Sequence, residues 1–212
     1  MEKRTNTLKK IRSLAVLILL IIPTIIFAQT YDKPGNTSAP FLKIVPTPRG
    51  EAMGAAVIGL TDNAAAVFSN PAGLMNITGN DMEFGHTNMP AGIGLSYFSF
   101  ARKIFGHHAV AISFLGLTTD DMKVRTPLQP EGTGEYFSVG NFAYGITYAR
   151  DYTDKFRVGF TARLLSLNVS DMYNELSWSG DIGLQYDSDL PGLLEGTIIA
   201  VTIRNFGPQI TY

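Results

Sequence analysis

The sequence predicts an all-β chain, a transmembrane antiparallel β-barrel with a small helical segment near its N-terminal end. Runs of about ten residues alternate large apolar side chains with small or polar ones. Only 17% of the 212 residues are charged, against about 25% in soluble domains. A basic, then apolar, leader reads as an export signal.

Composition narrows the field further. With 45% hydrophobic residues the chain is too apolar for disorder, and its formal charge of −1 lacks the basic excess that nucleic-acid binding requires. The absence of Cys removes disulfide frameworks, thiolate metal sites and Cys nucleophiles together.

The leader comes first. Lys3, Arg4, Lys9, Lys10 and Arg12 precede an apolar run from Leu14 to Phe27 and then Ala28-Gln29-Thr30. This reads as a signal peptide over residues 1–28. The run is shorter than the ~20 residues of a spanning helix, and Pro23 interrupts it. Cleavage takes five of the 17 basic groups and one of the 18 acidic ones, leaving a formal charge of −5. Polyanionic partners are disfavoured by that balance.

Residues 29–80 form a Gly/Ala-rich segment punctuated by Pro40, Pro46, Pro48 and Pro71, so short helices between turns are expected. Asp62-Asn63 supplies an N-cap for Ala64-Ala65-Ala66-Val67-Phe68, and Asn70-Pro71 closes the turn.

Residues 81–212 change to a period of two. Leu176, Trp178, Ile182, Leu184 and Tyr186 share one face, and Ser177, Ser179, Asp181 and Gln185 the other. Phe156, Val158, Phe160, Ala162 and Leu164 oppose Arg157, Thr161 and Arg163; Phe142, Tyr144, Ile146 and Tyr148 oppose Ala143, Gly145, Thr147 and Ala149. Runs over 108–114 and 199–204 follow the same rule, with weaker ones at 82–89 and 93–102. The total is about seven strands, apolar outside and small or polar inside, as in outer-membrane barrels. The longest connection, Thr118 to Glu135, is then external, and tight turns such as Phe105-Gly106 are internal. Seven strands leave two edges, which lipid does not tolerate. The set is therefore part of a longer barrel, or closes with a partner, or is miscounted by one.

Four stretches carry a family likeness: Ala39-Pro40-Phe41-Leu42-Lys43-Ile44, Arg49-Gly50-Glu51-Ala52-Met53-Gly54-Ala55-Ala56, Asp62-Asn63-Ala64-Ala65-Ala66 and Asn70-Pro71-Ala72-Gly73-Leu74. In order and spacing the chain resembles PorV/PorQ-type outer-membrane proteins of the FadL-like group. The resemblance implies a barrel of about fourteen strands whose first half is present here, with residues 29–80 folded inward as a hatch. It also implies a place in the outer membrane and a role in type IX secretion, docking exported cargo proteins. FadL-like relatives instead pass long-chain fatty acids or other hydrophobic molecules. Pro46-Thr47-Pro48-Arg49 stands where such proteins carry a more Gly-rich stretch. A soluble secreted β-sandwich with a binding role is the third reading.

The hatch residues that such a protein could use to gate a ligand are Asp62, Asn63, Asn70, Pro71, Ala72 and Gly73. Arg157, Arg163 and Arg204 are expected to face the lumen and pair with Asp181. No catalytic, metal or cofactor site is expected. His107 and His108 are adjacent and diverge on a strand, and whether a Ser, a His and a polar partner converge is not legible from spacing. Asp120, Asp121, Glu131 and Glu135 read as a solvated acidic loop.

Overall fold

The computed structural model describes residues 39–169, 173–188 and 196–208. The expected signal peptide and the first part of the hatch lie outside the described residues, as do parts of the connections after Val169 and Ser188. The strands are β1 (Asn80–Met89), β2 (Ile93–Ile104), β3 (His108–Thr119), β4 (Met122–Lys123), β5 (Tyr136–Phe137), β6 (Val139–Thr153), β7 (Phe156–Val169), β8 (Tyr173–Asp187) and β9 (Ile198–Phe206).

Seven of these make one antiparallel sheet in the order β1-β2-β3-β6-β7-β8-β9. Each strand pairs with its predecessor in the sheet, the pattern of a meander. The alternation seen in the sequence becomes two unlike faces. On the outer face Phe84, Ile146 and Leu176 are each about 70% exposed, and Trp178 is 55% exposed. On the inner face Ala143, Thr147, Ala149, Thr161 and Gln185 are buried.

The cover over the inner face is the segment from Ala39 to Ile77, built of short helical pieces: Pro40–Lys43, Pro48–Ala52, Ala64–Phe68 and Pro71–Asn76. Proline sits at the start of three of them, where its missing N–H costs nothing. At Pro46-Thr47-Pro48-Arg49 the chain starts an α-helical turn, with Thr47 Oγ1 accepting from the Gly50 N–H at 3.2 Å. Val67, Phe68, Leu74 and Ile77 pack with Leu95, Tyr97, Leu115, Leu165 and Leu167 of the sheet. The core therefore lies between sheet and hatch. No helix among the described residues is long and apolar enough to cross a membrane.

Two expectations need correction. Asp62 does not cap the Ala64–Phe68 turn: the N-cap is Asn63, which makes no side-chain cap bond. The Ala64 N–H instead donates to Asp81 Oδ2 of β1 at 2.7 Å, because the turn lies against the sheet and a strand carboxylate reaches it. The connection from Thr118 to Glu135 is not plain loop either, since β4 lies in it and pairs as a ribbon with β5, which follows directly after Glu135.

Candidate functional site

The residues singled out in the sequence gather at the hatch and sheet interface. Asn70 is fully buried. Its Nδ2 donates to the carbonyls of Ile58 (3.0 Å) and Leu184 (3.3 Å), and its Oδ1 accepts from the Ala72 N–H (3.1 Å). The extended Asn70 backbone that a following proline requires turns this side chain toward β8. Room for it comes from two glycines. A Cβ on Gly159 of β7 would strike the Pro71 and Ala72 backbone, and one on Gly183 of β8 would strike Asn70 Oδ1 and the Pro71 ring. Gly73 lies equally tight against Thr61.

Around this centre, side chains from both flanks of the sheet hold the hatch. Asn63 Nδ2 donates to Glu83 Oε2 at 2.8 Å, and Tyr97 Oη donates to Glu83 Oε1 at 3.2 Å. Lys103 Nζ donates to the Met75 carbonyl at 2.9 Å. Asn76 Nδ2 donates to Gln185 Oε1 at 3.1 Å, and Gln185 Nε2 to the Gly59 carbonyl at 3.2 Å. Asp62 pairs with Arg49 at the exposed side of the hatch.

Of the three arginines expected to pair with Asp181, Arg163 does so, Arg157 takes other carboxylates and Arg204 donates to a backbone carbonyl. Arg163 and Asp181, with side chains 5% and 1% exposed, form an ion pair at 2.6 Å across β7 and β8. Arg163 Nη2 also donates to the Val67 carbonyl of the hatch at 2.7 Å. Asp181 Oδ1 accepts from the Asn205 N–H at 2.7 Å, where β9 bulges and Asn205 adopts a φ of +57°. Arg204 reaches the Leu42 carbonyl at 3.3 Å. Arg157 does not pair with Asp181; it makes a bidentate bond to Asp187 at 2.9 and 2.7 Å and lies 3.6 Å from Asp151. Arg157 and Arg163 are six positions apart, about 20 Å of strand, so one carboxylate cannot serve both.

No protein-family model and no curated protein matches the chain. The site is rich in donors to hatch carbonyls, and its ion pairs are oriented by strand register. Such an arrangement holds the Ala39–Ile77 segment against the sheet. Among the described residues, no group of three or more His, Asp or Glu side chains is placed to hold a metal. His107 sits in the turn after Phe105-Gly106, while His108 bonds Tyr148 Oη at 2.7 Å on the outer face.

The sequence reading missed several partners: Asp81, Glu83, Asn76, Gln185, Asp187 and Asn205. For Asp81 and Glu83 the signal was their alternation with outward Met82 and Phe84. For Asn205 there was none, since a bulge leaves no periodic mark.

Proposed function

We propose that this chain is an outer-membrane β-barrel protein of the PorV/PorQ type, serving type IX secretion as a docking or shuttle component for exported proteins. The observation that carries the membrane reading is the outer face itself. Phe84, Ile112, Tyr144, Ile146, Leu164, Leu176, Trp178, Val201 and Ile203 are all more than half exposed and lie on six of the seven strands of the sheet. Monomeric soluble proteins rarely leave an apolar patch larger than a few hundred Å² uncovered, whereas a lipid-facing wall is built this way. The ordered ribbon of β4 and β5 supports docking at the external end. It carries Leu128, 93% exposed, and Tyr136.

A second reading, passage of long-chain fatty acids or other hydrophobic molecules, is supported by a cleft of about 490 Å³ between hatch and strand ends. Leu60, Asn76, Arg157 and Ile198 help to line it.

Two experiments test these readings. Trp178 is the only tryptophan, so brominated phospholipids should quench the fluorescence of the reconstituted protein. Absence of quenching removes the membrane reading. Deleting the gene should abolish surface delivery of secreted proteins and leave fatty-acid uptake intact; the reverse pattern selects the transporter.

A further inference from the structure

At the external end of the outer face, where β1 turns into β2, three polar side chains form a hydrogen-bonded chain. His86 lies directly across from Ser96, and Asn88 follows on the same face of β1. His86 Nδ1 is 2.8 Å from Ser96 Oγ, and His86 Nε2 is 2.9 Å from Asn88 Oδ1. An amide oxygen only accepts, so Nε2 carries the proton and Nδ1 turns its lone pair to the Ser96 hydroxyl. A hydroxyl, a base and a group that fixes the base's tautomer are the working parts of a serine hydrolase, recognised by geometry rather than chain order. The β1–β2 register brings them together, which spacing alone could not establish.

We propose that Ser96, His86 and Asn88 form an esterase site for acyl lipids. The surroundings match such a substrate from end to end. Toward the middle of the wall, Phe84, Phe98 and Phe114 occupy one cross-strand row. Phe114 also stacks with Phe142, centroids 6.1 Å apart, and both rings crowd Gly116, the residue across from Ser96. An acyl chain would lie on these rings. Toward the rim, a cleft of about 360 Å³ is lined by His86, Asn88, Gly94, Thr118, Thr119 and Asp120, and suits a polar head group. Between them, a methyl group on Gly94 would sit 3.1 Å from His86 Cε1 and 3.3 Å from Thr118 Oγ1.

In the first step Ser96 Oγ attacks the carbonyl carbon and its proton passes to His86 Nδ1. The carbon–oxygen bond to the alcohol then breaks, and the alcohol leaves with that proton. Water from the polar cleft gives a proton to Nδ1 and attacks the acyl-serine. The acid departs and the proton returns to Ser96 Oγ. Asp120 is the acidic group among the described residues lining this cleft.

The lipid substrate rests on the membrane reading above; the triad does not, and the test separates them. The full chain in detergent micelles is treated with a fluorophosphonate, then assayed on p-nitrophenyl butyrate and on phosphatidylcholine vesicles. The expected result is label on Ser96 and hydrolysis of both substrates. Ser96→Ala should lose the label, and His86→Gln should lower turnover about 10²–10⁴-fold, each with an unchanged circular dichroism spectrum. Asn88→Asp should move the acid limb of the rate profile to higher pH, because a carboxylate there favours the imidazolium; a merely structural Asn88 would leave the limb in place. Label that persists in Ser96→Ala, or no label at all, overturns the site. Hydrolysis of the butyrate with intact vesicles overturns the lipid assignment.

Discussion

Along β6 the outward positions carry Phe142, Tyr144, Ile146 and Tyr148, and the inward positions between them carry Ala143, Gly145, Thr147 and Ala149. Tyr144, Ile146 and Tyr148 are exposed, while all four small residues are buried under the hatch. In a water-soluble sheet the large apolar set would be the covered one. Here size and burial run in opposite directions, for two separate reasons. On the membrane reading proposed above, the outer face needs apolar bulk because it meets a medium without hydrogen bonds. The inner face needs small residues because a backbone approaches it closely, as Pro71 does at Gly159 and Gly183. It also needs charges held in pairs, because the hatch excludes water from them.

The sharpest way to break this comparison is on the inner face. Arg163→Met leaves the Asp181 carboxylate buried without its counter-ion and should cost about 3–5 kcal/mol. The double substitution Arg163→Met with Asp181→Leu should recover most of it. Urea unfolding in vesicles, followed through Trp178, measures both. If the single variant matches the parent, charge does not hold the hatch.

On the outer face, Ile146→Arg should cost about 2–4 kcal/mol in a bilayer near its midplane, against roughly ±0.5 kcal/mol for an exposed site in water. Equal stability of Ile146→Arg and parent in vesicles would mean that lipid is not the solvent of this face. The smallest effect belongs to the exposed ion pair of Arg49 and Asp62, half or more open to solvent on each side. Asp62→Ala should change the unfolding free energy from the same urea titration by less than about 1 kcal/mol. A larger loss would mean that the hatch rim is tighter than its exposure implies.

Legibility followed periodicity. The faces of β6, β7, β8 and β9 could be read directly, since side chains two apart in a strand share a face whatever the strand packs against. The two-residue strands β4 and β5 were invisible because two residues show no period. Asn70 could be identified as a turn residue from Asn-Pro, but its bonds to Ile58 and Leu184 could not, as they depend on where the hatch docks. The sequence placed Arg157, Arg163 and Asp181 on one face without deciding which arginine takes the carboxylate. Ser96, His86 and Asn88 were each visible, yet nothing in their spacing set them side by side.

What the sequence determined alone is the alternation, and with it the all-β class, the strand positions and the chemistry of each face. These depend on local geometry, in which each residue's orientation is fixed by its neighbours along the chain. Tertiary structure alone decided the partners: Asp181 for Arg163, Asp187 for Arg157, Gly159 and Gly183 beneath Pro71, and His86 beside Ser96. Pairing register and hatch position are set by the summed fit of many side chains, so no single stretch of sequence encodes them.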